Sequence, residues 1–190
     1  MKPDWRLTRF KMYTEIMEKL PMPLSGKILA ISDVSGFSPM IDYSRSDILE
    51  SSYPDVDFHS LPYADNSFDV IVSDQVLEHL TNPAMALAEA HRVLKPGGIA
   101  IHTTCFMNYY HPAPIDYWRF SADALKHLHK DYSSIICCNG WGNRVAILLC
   151  MLGDRFRALQ VPKRRLSLLN RIATFNDPRY PISTWIVARK

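Results

Sequence analysis

Asp47, Asp57 and Asp74 are spaced so that each could close a successive strand of an α/β sheet, with Gln75 beside the third. In an open sheet of that kind ligands bind beyond the carboxyl ends of the strands, so the three carboxylates would share one rim. One carboxylate there can accept both hydroxyls of a ribose, and another can accept from an adenine amino group. Such a set suits a positively charged, adenosine-containing ligand. Taken singly, Asp47 and Asp57 read equally well as turn or cap residues, a setting that Asp favours.

The elements that would position these groups follow from the hydrophobic pattern. Leu7, Phe10, Tyr13, Ile16, Met17 and Leu20 recur at helical spacing and predict a lead-in helix over 4–20, stopped by Pro21 and Pro23. Residues 27–32 form a short apolar strand, 40–46 a second that would finish at Asp47, and 68–73 a third. Asn82-Pro83 opens a helix running to about Leu94, and Lys95-Pro96-Gly97-Gly98 turns the chain into a strand over 99–104. Strands over 133–138 and 184–188 flank a helical insert from about Asn143 to Ala173. This alternation predicts an α/β fold with a mostly parallel central sheet and an antiparallel C-terminal edge strand. The 190 residues suit a single domain.

A net charge of +3 is too small to imply nucleic acid. Much of the excess lies in Arg155, Arg157, Lys163, Arg164, Arg165 and Arg171, read as a solvated helix face, with an anionic substrate or membrane surface as the other option. Cys105, Cys137, Cys138 and Cys150 show no CxxC pairing and read as reduced core thiols of a cytoplasmic protein. The longest apolar run, Val145 to Leu152, is far shorter than a membrane span, so no transmembrane segment is expected. No metal site is read either.

Three longer blocks then stand in order: LPYADNSFDVIVSDQVLEHL over 61–80, AHRVLKPGG over 90–98 and HPAPIDYWRF over 111–120. Together they resemble the class I S-adenosylmethionine-dependent methyltransferases, in particular a small subgroup associated with sugar and cell-surface glycan modification. NDPRYPISTW over 176–185 fits the same group, and the resemblance covers most of the chain from Lys27 onward. It implies a Rossmann-like methyltransferase fold, S-adenosylmethionine as cofactor, and O-methylation of a small polar acceptor such as a sugar or nucleotide-sugar. Carried over residue by residue, it puts Ser32, Asp33 and Gly36 in the loop around the methionine end of the cofactor. It puts Asp47 on the ribose, Asp57 and Phe58 at the adenine edge, and Asp74 and Gln75 along the methionine and methyl region. Glu78 and His79 read instead as packing and capping groups.

A hydroxyl acceptor is a poor nucleophile until it loses its proton, so such an enzyme needs a base within reach. His111 is the candidate, because imidazole titrates near neutrality and the residue lies in a proline-rich loop. Asp116 could orient it or replace it, and Tyr117 and Arg119 would bind the acceptor, Arg119 through its planar fork. The same block reads structurally as a rigid loop stapled by an Asp–Arg pair.

The chain departs from the family pattern in KILAISDVSGFS over 27–38, which keeps one glycine, Gly36, and sets Val34 where a glycine is usual. Valine at positive φ would be an outlier, so the loop is expected to take another path, with a shortened front half and altered cofactor binding. The alternative reading is a catalytically inactive methyltransferase-like protein serving as a binding or assembly partner. No GxGxxG follows the first strand, which argues against a dinucleotide-dependent dehydrogenase. The insert could be a lid, a homodimer surface or a contact for a lipid-linked substrate.

Overall fold

The computed structural model describes residues 5–162, 164 and 167–190. Asp4 of the expected lead-in helix, and Lys163 and Arg165 of the basic cluster, lie outside them. Six strands form one sheet in the order β2-β1-β3-β4-β6-β5. They are β1 (Leu24–Ile31), β2 (Ile41–Ser51), β3 (Phe68–Asp74), β4 (Leu94–Cys105), β5 (Ser134–Trp141) and β6 (Ser183–Arg189). The first four run parallel, and β6 runs antiparallel to both β4 and β5. The C-terminal strand is thus antiparallel, but it is enclosed between β4 and β5, and β5 takes the edge.

Alternation along the strands builds a core on each face of the sheet. Ile28, Ala30, Val70 and Val72 face one way and pack with helix α1 (Phe10–Lys19), which contributes Met12, Tyr13 and Ile16. Leu29, Ile31 and Ile71 face the other and meet Ala86, Leu87, Ala90 and Val93 of α2 (Pro83–Val93). α2 starts cleanly because Asn82 accepts a hydrogen bond from the Met85 amide and Pro83 sits at the first helical position. Arg92 in its last turn donates to Glu89, Asp65 and the carbonyls of Leu61 and Tyr63, which fastens the 61–65 loop to the helix.

β2 is longer than its polar sequence predicts. Its pairing with β1 continues through Lys27↔Asp47 to Ile31↔Ser51, so the two parallel strands end together and Asp47 stands inside β2 rather than at its end. Between β1 and β2 the usual crossover helix is replaced by a single 3-10 segment, Ser35–Met40.

The lead-in helix is shorter than its pattern predicts because the preceding residues leave it to pair with the insert. The Leu7 amide donates to the Leu159 carbonyl, and the Val161 amide to the Trp5 carbonyl. The insert itself carries α4 (Arg144–Met151), α5 (Asp154–Arg157) and α6 (Leu168–Thr174), and α3 (Ala122–Leu128) precedes β5. No helix among the described residues is long and apolar enough to cross a membrane.

Candidate active site

Neighbouring strands diverge to β2 on one side of β1 and onward to β3 on the other, and a cavity of about 480 Å³ opens at the carboxyl ends of these three strands. Ile31 and Ser32 line it from β1, Ser51 from β2, Asp57 and Phe58 from the following loop, and Gln75 from beyond β3. Its volume falls within the range of small-molecule and cofactor sites.

The glycine-poor loop solves its geometry with serine. Ser32 adopts φ 63, the left-handed conformation, and its amide donates to the Ser51 carbonyl at 2.7 Å. Val34 keeps φ −111 and is buried in the core, so no valine is strained. Gly36 does not line the cavity. It faces α1, where a Cβ would stand 2.2 Å from the Tyr13 hydroxyl oxygen. Asp33 lies outside the cavity lining too, its carboxylate accepting from the Ser35 amide at 2.8 Å, which holds its pKa below the usual carboxylate range.

Of the expected carboxylates, Asp57 reaches the cavity. Its Oδ1 accepts from the His59 amide at 2.9 Å and lies 2.6 Å from His59 Nδ1, and these bonds lower its pKa. Asp47 is exposed on β2 and does not line the cavity. Asp74 is held from the other side: Arg9 donates to Oδ1 at 2.6 Å, Tyr13 to Oδ2 at 2.5 Å, and the Thr103 hydroxyl to Oδ1. Gln75 has φ 57, its amide bonds the Thr103 carbonyl, and its side-chain nitrogen donates to the Thr103 hydroxyl at 3.2 Å.

The HPAPIDYWRF loop closes one side of the cavity with Ala113, Pro114, Ile115 and Tyr117. A fully buried Asp116 carboxylate accepts two bonds from Arg119, at 2.5 and 2.7 Å, and one from the His111 amide at 2.8 Å. Arg119 also donates to the carbonyls of Tyr109 and Trp118. Asp116 and Arg119 thereby hold the loop's shape, and Arg119 depresses the Asp116 pKa. His111 lies with Nδ1 3.2 Å from Asp116 Oδ2 and Nε2 3.8 Å from Glu78 Oε1, and the Glu78 carboxylate raises the imidazole pKa.

Two neighbours of that loop were not expected in the site. Glu78 is fully buried, and His79 lines the cavity. They belong to a short 3-10 turn, Leu77–His79, that sets them at the rim directly after β3. Their position beside β3 is the local signal; their approach to His111 has no local signal at all.

A second cavity of about 230 Å³ adjoins the first through Gln75, which lines both. Arg6 and Arg9 line it from the N-terminal segment, Asn108 and Tyr109 from the loop after β4, and Asp154 and Arg157 from α5. Arg157 donates to Asn108 Oδ1 at 2.5 Å, and its guanidinium stacks 4.4 Å above the Tyr109 ring.

The family profile described as a methyltransferase domain matches residues 26–102. A probable S-adenosylmethionine-dependent methyltransferase of Mycolicibacterium smegmatis is 37% identical over 81 residues, which are 39% of this chain and 32% of that protein. Curated relatives are spanned only in part, two others over 12% and 14% of their length. Among solved structures, the cyclase SpnF is similar with a TM-score of 0.59 at 18% identity, covering 95% of this chain and 80% of that one. Phosphoethanolamine N-methyltransferase 2 of Haemonchus contortus, solved with S-adenosylhomocysteine, gives 0.62 at 14% identity, covering 95% of this chain and 52% of that one. Residues 26–102 thus match a methyltransferase domain, and the chain shares the fold of these two structures over nearly its whole length.

Proposed function

We propose that the protein transfers a methyl group from S-adenosylmethionine to a hydroxyl of a small polar acceptor of the sugar or nucleotide-sugar class. The observation that carries this reading is Gln75, which lines both cavities and so joins a cofactor-sized space to a smaller polar one. The first cavity fits S-adenosylmethionine by its donor set. Ile31, Val56, Phe58 and Leu80 offer apolar walls for an adenine ring, and Asp57 offers carboxylate oxygens to sugar hydroxyls. Ser32 and Gln75 stand at the β1 and β3 ends, on the side where the methionine portion would lie.

When bound, the cofactor supplies a sulfonium-activated methyl carbon. The chain's own part is placement and exclusion of water. The Ala113–Tyr117 stretch covers the first cavity, held by the buried Asp116–Arg119 pair. Arg6, Arg9 and Arg157 make the second cavity suited to an acceptor carrying an anionic group. At the edge of the first cavity the acceptor hydroxyl would meet the cluster of Glu78, His79 and His111, and its proton would leave to solvent. With Val34 unstrained and the positive φ carried by Ser32, the loop gives no ground for an inactive protein.

Calorimetric titration with S-adenosylhomocysteine tests the cofactor half of the proposal. Asp57→Ala is expected to weaken binding about tenfold or more, the effect of losing a charged hydrogen bond of roughly 1.5–3 kcal/mol, while Asp47→Ala binds as the parent does. No binding to the parent at millimolar ligand overturns the reading. Mass analysis of sugars and nucleotide-sugars incubated with enzyme and S-adenosylmethionine tests the acceptor half, and methylation confined to amines would overturn it.

A further inference from the structure

We infer that Glu78, His79 and His111 form a binding site for one divalent transition-metal cation at the edge of the cofactor cavity. The inference deepens the methyltransferase reading and rests on it for what the cation would do. One ligand atom from each of the three residues lies within 4.8 Å of the others. The first observation that points to a ligand is an orphan. Glu78 is fully buried, its Oε2 accepts from the Thr104 hydroxyl at 2.7 Å, and its Oε1 has no hydrogen-bond partner. His111 Nε2 at 3.8 Å is too far to supply one. A buried carboxylate oxygen left unsatisfied is costly, and a cation removes that cost.

The second observation is how the two imidazoles are held. His79 Nδ1 donates to the Ile115 carbonyl at 2.7 Å, which leaves Nε2 unprotonated in the neutral ring. His111 Nδ1 lies 3.1 Å from the Tyr109 carbonyl and 3.2 Å from Asp116 Oδ2, two acceptors against the single Asn108 amide nitrogen at 3.2 Å. Its Nε2, 3.8 Å from Glu78 Oε1, therefore carries the lone pair when the ring is neutral. Metal-bound histidines have this arrangement, one nitrogen on the metal and the other donating to a carbonyl or carboxylate. The two rings stand 5.1 Å apart and nearly perpendicular.

One carboxylate and two imidazoles suit zinc, iron, manganese or cobalt, and three protein ligands leave positions open for substrate. Bonds of about 2.0–2.2 Å place ligands roughly 3–3.5 Å apart, so the cluster must contract by about an ångström. His79 and His111 are only half-buried and His111 is carried by a loop, so both can make that movement. The loop residues on either side of His111 line different cavities: Asn108 and Tyr109 the second, Ala113 to Ile115 the first. A cation there would bind an acceptor hydroxyl and lower its pKa. The hydroxyl proton passes to solvent water, the oxygen bonds the methyl carbon, and the carbon–sulfur bond breaks with its electron pair remaining on sulfur.

The test uses the full chain, stripped with chelator and titrated with Zn²⁺ or Mn²⁺ by calorimetry, with Mn²⁺ binding also read by electron paramagnetic resonance. The expected result is one cation per chain, with affinity weakened at least tenfold in both His79→Ala and His111→Ala. Circular dichroism establishes that each variant is folded. Glu78→Gln is a third arm, and if it fails to fold the two histidine variants still decide. No binding at millimolar cation, or equal binding by the parent and both histidine variants, overturns the site. S-adenosylhomocysteine binding by the parent protein, with and without cation, separates the two readings: binding without a cation site leaves the methyltransferase proposal standing, and no binding by the parent in either state strikes that proposal instead.

Discussion

Tyr13 of α1 donates a 2.5 Å hydrogen bond to Asp74 at the end of β3, across 61 residues of sequence. Arg9, one turn earlier, forms a 2.6 Å ion pair with the same carboxylate, whose side chain is 8% exposed. The lead-in helix is therefore tied to the rim of the site by an acidic group that the family pattern would give to the cofactor. Breaking such a buried pair leaves a charge uncompensated. Arg9→Met is expected to destabilise the fold by about 3 kcal/mol, and Tyr13→Phe by about 1–2 kcal/mol. Urea denaturation measures both, and a Tyr13→Phe midpoint equal to the parent's would show that the hydroxyl contributes nothing.

Gly36 explains its own retention by the same helix. Because an added Cβ would lie 2.2 Å from the Tyr13 oxygen and 2.9 Å from the ring carbon bearing it, Gly36→Ala must displace α1. We expect a loss of about 1–3 kcal/mol, the usual effect of overpacking. The clash is shared, so combining Gly36→Ala with Tyr13→Leu should cost less than the sum of the single changes in a double-mutant cycle. Strict additivity would separate the glycine from Tyr13.

The sheet and both helix-bearing faces were legible because Ile28–Ile31 and Val70–Val72 carry uninterrupted apolar residues and Asn82-Pro83 is a strong helix start. Ser32, Asp57 and Gln75 were put at the rim by their distance from the expected strand ends and Phe58 by the family resemblance alone, and all four line the first cavity. Asp47 was misplaced because the polar strand expected over 40–46 was ended there, whereas the ladder with β1 carries it on to Ser51. The capture of Asp74 by Arg9 and Tyr13 was invisible, since contacts over more than sixty residues leave no periodic trace. Glu78 and His79 read as packing groups for a similar reason: His111, which gives them a partner, arrives on a loop from the far side of β4.

Acid should weaken the fold through a buried histidine pair. His129 is buried beside His102, the ring centroids 5.3 Å apart, and burial lowers the His129 pKa to about 4 and that of His102 well below its usual range. Both stay neutral in the folded state at a pH where the unfolded chain has already taken up protons. The unfolded state then binds more protons, so stability falls as pH drops below about 6.5 and the His129 contribution levels off below about 4. For His129 the loss is roughly 3 kcal/mol over that interval. A His129→Leu variant should flatten the pH dependence of the urea midpoint between these limits, and an unchanged slope would show that other groups govern it.

The conformation of Ser32, rather than its hydroxyl, is what the loop after β1 requires. At φ 63 an L-residue pays roughly 1 kcal/mol that glycine does not, while the Ser32 amide bond to Ser51 is made by the backbone and survives substitution. Ser32→Gly should therefore raise stability by up to about 1 kcal/mol and leave S-adenosylhomocysteine affinity unchanged. Ser32→Val should do the reverse, because a β-branched residue is strongly disfavoured at positive φ. It either strains the loop at a cost above 1 kcal/mol or pulls the Ser51 contact apart and narrows the cavity, and both routes weaken cofactor binding. Thermal denaturation and calorimetry on the two variants check the pair together. A Ser32→Gly protein that loses affinity while gaining stability would assign the hydroxyl a direct contact with the cofactor, and equal behaviour of the glycine and valine variants would remove the backbone argument altogether.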